Sequence, residues 1–270
     1  MRDPVSGASR ALEIRIHPTA QVDATAALGP GVEIGPWTIV GPNVRIGART
    51  TVGSHVLIER DTTVGEECRI LKGAVLGSDP QDLKYLGEQT FLEVGDRTVI
   101  REYATLNRGT VEEGHTTVGS DYLLMAYCHV AHDCHLGNHV ILSNAVNMAG
   151  HVSIGDWAIV GGMTPIHQFV RIGEHAFVGG ASRCSHDVPP YTRMSGNPGQ
   201  LFGLNSVGLQ RRGFSDEVRA ELKKAYRILF RNKDGSLAES VARVRAEVEQ
   251  LPEVKTLLEF VESSERGLTQ

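Results

Sequence analysis

The chain has 270 residues, 22% of them charged, and a formal net charge of −5. That balance argues against a general nucleic-acid binder, and no apolar run approaches the roughly 18–20 residues of a transmembrane segment. The opening stretch, Met1 to Leu12, lacks the apolar centre of a signal peptide and reads as a short leader, so a cytoplasmic protein with one large domain and a smaller one is expected.

From Ile16 an aliphatic residue recurs at every sixth position: Val22, Leu28, Ile34, Val40, Ile46, Val52, Ile58, Val64, Ile70 and Leu76. The step fails at Asp82 and Glu88, resumes with Val94, Ile100 and Leu106, fails at Glu112, and then runs from Val118 to Cys184. Four residues after each aliphatic position stands a small or short side chain, as at Ala20, Val32, Thr50, Cys68, Ala104, Cys134 and Val152, with Tyr122 the bulky exception. Gly29, Gly35, Gly41 and Gly47 follow the aliphatic residue directly, which reads as the mark of tight corners. A strict step of six fits neither a helix nor a flat alternating sheet. Segments this short bury a face only when stacked, so the pattern predicts a parallel β-helix over residues 13–197. Loop insertions are expected near 77–93 and 111–117. Cys68, Cys128, Cys134 and Cys184 fall on inward positions and are expected to be buried hydrophobes rather than ligands or nucleophiles.

The first insertion is too long for a corner and carries Gln81, Asp82 and Lys84. Long loops on rigid scaffolds often hold function, although a solvated loop with a charged tip is the plainer account. The second insertion is short and offers no functional signal of its own.

The repeat resembles the hexapeptide-repeat acyltransferases, which implies three hexads per coil and a left-handed winding. On that coil length His132, His151 and His167 fall near one edge of successive turns, outside the inward positions. Surface histidines are the ordinary alternative. Asp133 tips the balance, because a carboxylate beside an imidazole fixes its tautomer and raises its basicity. The grouping of His129, His132, His135 and His139 also allows a zinc reading, as in the γ-type carbonic anhydrases. That family pairs two histidines five residues apart on one coil; here Asp156 and Ile172 stand five beyond His151 and His167.

From about Phe214 the six-residue phase is lost, and residues 198–270 read as a connecting segment and a C-terminal α-helical domain. Ser215 precedes an amphipathic run to Phe230, Ser236 with Glu239 forms a capping box, and Pro252 opens a helix expected to end near Gly267. Eight basic residues between Arg211 and Asp234 face four acidic ones. This is either a solvated helix face or a surface steering an acidic partner.

Several segments, in order along nearly the whole chain, are similar to the UDP-N-acetylglucosamine O-acyltransferases that open lipid A synthesis. They include Pro80-Gln81-Asp82-Leu83-Lys84-Tyr85, Asn107-Arg108-Gly109-Thr110, His129 to Cys134, Ala149-Gly150-His151, His167-Gln168-Phe169, Asp187-Val188-Pro189-Pro190-Tyr191 and Arg211-Arg212-Gly213-Phe214. The resemblance implies a homotrimer with active sites between subunits, a 3-hydroxyacyl carrier protein as donor, UDP-N-acetylglucosamine as acceptor, and no metal or other cofactor. It assigns His132 as general base, Asp133 as its orienting partner and the Gly150 N–H as oxyanion donor. It places His129, His151, His167 and Gln168 along the groove, and Gln81, Asp82 and Lys84 on the nucleotide sugar. Asn205, Arg211 and Arg212 join the substrate-binding set, with the two arginines touching phosphate or carrier, and Gly180 sits at the acyl-length ruler, with Phe177 able to shorten that slot. Pro198, Val207 and Asn107 depart from the family pattern, which bears on the fine nucleotide contacts. Three rivals remain: the N-acyltransferase of the same pathway, which is expected to carry a uridine-binding domain before the ladder, the zinc hydrolase, and a purely structural solenoid.

Overall fold

The computed structural model describes residues 13–231 and 235–270; the leader Met1 to Leu12 lies outside the described residues, as do Lys233 and Asp234 of the basic run. Most strands are only two residues long, and each points its first side chain outward and its second inward, as in Arg69–Ile70 and Ile141–Leu142. Every third strand joins the same sheet, giving walls of eleven, eight and eight strands. Away from the two interruptions, pairing within the β-helix is parallel and eighteen residues apart, so Ile34 lies over Ile16 and Leu142 over Leu124. The aliphatic ladder thus becomes a set of stacked inward columns. Ile58, Leu76, Leu106 and Val130 form one of them, all with no exposed surface. Each such side chain contributes roughly 1.5–3 kcal/mol through removal from water.

The two interruptions are visible as longer steps in all three walls. Ile70 pairs with Ile100 and Ile100 with Leu124, steps of thirty and twenty-four. Both are multiples of six, so the chain leaves the prism, returns on the same corner and keeps its phase.

The corners differ from the expectation drawn from glycine. The residue in the left-handed region stands three after the aliphatic one and is mostly not glycine: Asp133, His151 and Phe169 have φ of 56°, 59° and 63°. The glycine directly after the aliphatic residue is required instead by close stacking. A Cβ at Gly47 would lie 2.5 Å from the carbonyl carbon of Gly65 on the next coil. Asn, Asp and His tolerate the left-handed corner best, so the winding itself recruits polar side chains to three outer edges.

Cys68, Cys128, Cys134 and Cys184 are free and buried, and burial pushes the Cys134 and Cys184 thiols up to about 12. The wall that begins at Arg15–Ile16 ends with an antiparallel pair, Thr192–Ser195 against Gln200–Leu204. Among the described residues four helices follow: α1 (Ser206–Arg211), α2 (Asp216–Phe230), α3 (Leu237–Glu247) and α4 (Pro252–Glu262). The Ser236–Glu239 capping box is formed. The last helix stops at Glu262, short of Gly267, because the Arg171 guanidinium takes the Phe260 and Ser263 carbonyls. The tail then runs back along the prism, pairing Leu268 with Asp187. A second core of Leu209, Leu222, Val244, Val254, Leu257 and Val261 closes around Tyr191. Among the described residues no helix is long and apolar enough to cross a membrane.

Candidate active site

His132 and Asp133 occupy the corner that follows the strand His129–Val130. Asp133 takes the left-handed conformation and turns its carboxylate into the protein, where it has no exposed surface. Its Oδ1 accepts the Thr110 backbone N–H at 2.8 Å and its Oδ2 accepts the Thr110 hydroxyl at 2.7 Å. The same Oδ2 accepts from His132 Nδ1 at 2.8 Å. Burial alone would raise the Asp133 pKa, but the hydrogen bonds from His132 and Thr110 outweigh it and hold the carboxyl below its usual range. Bonded to that carboxylate, His132 has its pKa raised despite partial burial. An acceptor at Nδ1 places the ring proton there, leaving the lone pair on Nε2 as the basic site.

That nitrogen faces Gly150 on the next coil. A Cβ at Gly150 would sit 2.7 Å from His132 Nε2 and 2.5 Å from Cε1, so any other residue would collide with the ring. The Gly150 N–H makes no hydrogen bond among the described residues. A lone pair and an unused amide donor therefore flank one small space.

His151, one coil above Asp133 on the same corner, meets the His132 ring edge-on at 5.2 Å and stacks on Phe169 at 4.6 Å. Three carboxylates surround it: Asp133 at 3.7 Å, Glu112 at 3.5 Å and Glu113 at 3.4 Å. Glu113 also binds His135. His129 projects from the wall beside this corner, bonded through Nδ1 to the Thr105 hydroxyl at 2.7 Å, and burial followed by the nearby His132 lowers its pKa. His167 and Gln168 line an adjoining hollow of about 500 Å³ with Ala149, Arg183 and Cys184. Arg266 of the C-terminal tail donates to His167 Nδ1 at 2.7 Å.

Donor atoms of His132, Asp133 and His151 lie within 4.8 Å of one another, a spacing that a metal ion can use. The donor set fits poorly. Both Asp133 oxygens already accept hydrogen bonds from Thr110 and His132, so an ion held by His132 Nε2 and His151 would have to compete with them for the carboxylate.

The remaining predicted residues lie elsewhere. Gln81 and Lys84 are exposed and Asp82 half-buried on the first insertion, and the Asp82 charge adds to the rise in His132 basicity. Asn205 and Arg211 line a hollow of about 660 Å³ with Ile159, Phe177, Arg193 and Lys223. That hollow opens on a different wall of the prism from the one bearing His129. Asn205 also spends its side chain internally, capping α1 through Gly208 N–H and donating to the His175 carbonyl. Arg212 lies over the Trp157 ring at 5.2 Å with a buried, unpartnered Nη1. Gly180 stacks above Gly162, where an added Cβ would come within 3.3 Å of the Gly162 carbonyl oxygen.

Sequence reasoning missed Thr110, Glu112 and Glu113 as part of this centre. Thr110 stood in a quoted motif and Glu112 showed only as a failed ladder position; nothing in the repeat says that the loop folds back over the histidine corner.

A family model described as Udp N-acetylglucosamine O-acyltransferase, Domain 2, matches residues 187–269. The acyl-[acyl-carrier-protein]–UDP-N-acetylglucosamine O-acyltransferase of Thiobacillus denitrificans is 52% identical over 254 residues, covering 94% of this chain and 98% of that one. The protein of the same name from Burkholderia mallei is 52% identical over 200 residues, 72% of this chain and 75% of its own. Among solved structures, LpxA from Acinetobacter baumannii superposes with a TM-score of 0.92 at 42% identity over 94% of this chain and 99% of that chain. The UDP-N-acetylglucosamine O-acyltransferase of Moraxella catarrhalis gives 0.92 at 43% identity with the same coverage. With this identity along nearly its whole length, the chain belongs to the acyl-[acyl-carrier-protein]–UDP-N-acetylglucosamine O-acyltransferase family, hexapeptide-repeat enzymes built on a left-handed parallel β-helix.

Proposed function

We propose that the protein transfers a (R)-3-hydroxyacyl chain from acyl carrier protein to the 3-hydroxyl of UDP-N-acetylglucosamine, the first step of lipid A biosynthesis. The observation that carries the mechanism is the His132 ring, bonded at Nδ1 to buried Asp133 and facing Gly150 with Nε2. An alcohol is a weak nucleophile at neutral pH and needs a base in place. Nε2 takes the proton of the sugar 3-hydroxyl as its oxygen attacks the thioester carbonyl. The carbonyl oxygen gains negative charge beside the Gly150 N–H, where a preorganised donor is worth most. Collapse breaks the carbon–sulfur bond, and the departing thiolate recovers the proton from Nε2. Asp133 stays ionised throughout and keeps the ring in the working tautomer. His129, His151, His167 and Gln168 line the groove for sugar and acyl hydroxyls.

A homotrimer completes the site on this reading. The His132 corner and the basic hollow with Asn205 and Arg211 open on different walls, so one substrate reaches both only across two subunits. Outward on the wall of that hollow stand Val99, Leu123, Ile141, Ile159 and Phe177 in one half-buried apolar column. Leu83 and Leu86 lie fully exposed on the insertion loop. Such apolar surface suits a neighbouring prism and a lipid tail between them. Arg193, Arg211, Lys223, Arg227 and Arg231 around the hollow suit the acidic carrier and the phosphates. Donor and acceptor are both water-soluble, which supports a cytoplasmic reaction.

The test is acyl transfer from loaded carrier protein to UDP-N-acetylglucosamine, read by mass spectrometry, with sedimentation of the purified protein alongside. An ester product and a trimeric mass are expected. No ester product, or a functional monomer, would overturn the respective halves of the reading.

A further inference from the structure

Arg108 is among the largest fully buried side chains of the described residues, with none of its surface exposed. It does no chemistry in the reaction above, and a buried guanidinium needs a reason. Both terminal nitrogens point at the base of the insertion loop: Nη1 to the Gly77 carbonyl, Nη2 to the Asp79 carboxylate and, at 3.2 Å, to the Tyr85 hydroxyl, while Nε is buried without a partner among the described residues. The Tyr85 oxygen accepts a second guanidinium, Arg60 Nη2 at 3.2 Å, and its proton goes to the Glu88 carbonyl at 2.7 Å. Asn107 adds a bond from Nδ2 to the Asp79 carbonyl at 2.9 Å, and Arg108 N–H one to the Ser78 carbonyl at 3.0 Å. The outgoing limb at Gly77–Asp79 and the returning limb at Tyr85–Glu88 are thus pinned to one side chain.

What this network holds up has few apolar contacts of its own. Leu83 and Leu86 are fully exposed, and Gln81 and Lys84 stand in solvent. A loop of that kind would ordinarily sample many shapes. The geometry points to Arg108 and Tyr85 as positioning residues that hold the 79–88 arm, with Gln81, Asp82 and Lys84, in a binding-ready pose beside His132, so that nucleotide-sugar affinity is set in part from inside the prism. This rests on the acyltransferase reading and on the arm touching the sugar. A preformed arm spares the substrate the entropy of ordering it.

The arm also carries charge toward the base. His132 faces Asp133, Asp82 and Glu112, together with the His129 and His151 rings, and the Asp82 carboxylate is one of the anions raising its basicity. Releasing the arm therefore weakens sugar binding and lowers the His132 pKa together, an effect that loss of packing alone does not produce.

The test uses Tyr85→Phe, which removes one hydroxyl and keeps the ring, with Arg108→Met as the stronger variant, used if its thermal midpoint shows that it folds. Hydrogen exchange of the 79–88 amides and steady-state kinetics across pH are read on the full-length protein. Tyr85→Phe is expected to speed exchange across the arm and raise KM for UDP-N-acetylglucosamine by roughly tenfold, with kcat changed far less. The acid limb of kcat/KM should move to lower pH. Unchanged exchange overturns the tether. Faster exchange with an unmoved KM and acid limb overturns the link from arm to substrate. Both results would leave the His132 assignment standing, because that is lost only if His132→Ala keeps its activity.

Discussion

Two outer edges of the same prism follow the same backbone rule and use histidine in opposite ways. On one, His139, Trp157, His175 and Tyr191 all sit at left-handed corners and stack coil upon coil, His139 on Trp157 at 3.9 Å and His175 on Tyr191 at 5.8 Å. Phe214 and Arg212 close that stack from outside. Burial, helped by the Arg212 charge, pulls the His175 pKa down to about 4, and its Nδ1 is buried without a partner. There the imidazole is an aromatic plate. On the other edge, Asp133, His151 and Phe169 hold the equivalent positions, and His132 precedes the acid. A carboxylate replaces the ring at one coil, the next coil offers a glycine, and the imidazole becomes a base. The winding supplies exposed corners, and the neighbour chosen at each decides between packing and chemistry.

The comparison breaks most sharply on His132 itself. His132→Ala should lower kcat on the order of 10²–10⁴-fold while the thermal midpoint stays close to wild type. Gly150→Ala comes next: its methyl group meets the His132 ring, and roughly a 10²-fold loss in kcat is expected from the displaced base. Glu112→Gln removes one of the charges that raise His132, together with the carboxylate 3.5 Å from His151, while keeping the side chain's shape. The acid limb of kcat/KM is expected to move to lower pH by less than about one unit. Replacing the other edge's ring, His175→Phe, should leave turnover within about twofold. Its signature is in stability. Between its usual 6.5 and about 4 the unfolded chain binds a proton that folded His175 does not, so wild-type stability falls as pH drops through that window. Thermal midpoints of the phenylalanine variant should fall less steeply there.

Much of this was legible because the fold repeats. A strict step of six, with a short side chain four residues on, names most of the inward positions, and Ile34, Ile70 and Leu142 are buried where the ladder puts them, although Ile16 on the open first coil is exposed. The dyad was legible for a similar reason: His132 and Asp133 are adjacent, and adjacency survives folding. Contacts made across insertions were not. Glu112 and Glu113 reach His151 and His135 because a short loop bends back over the corner, and periodicity carries no record of loop direction. Arg108 looked like one letter of a motif, yet it lies sealed beneath an arm whose partners Asp79 and Tyr85 stand 29 and 23 positions earlier in sequence. Arg212 was expected as a phosphate or carrier contact, and the repeat gave no sign that its guanidinium also lies over Trp157, a partner that only the packed structure supplies. The helical end expected near Gly267 came early because Arg171, from the prism, caps the last turn.

The central claim is that Asp133 makes His132 basic and holds its proton on Nδ1. The pH dependence of kcat/KM for wild type and Asp133→Asn tests it most directly. His132 must be neutral to accept a proton, and its pKa lies above the usual 6.5, so the wild-type rate should fall as pH drops through a value above 6.5. Asp133→Asn should lower the plateau and shift that limb to lower pH. A limb that stays in place, or a plateau that does not fall, would contradict the account.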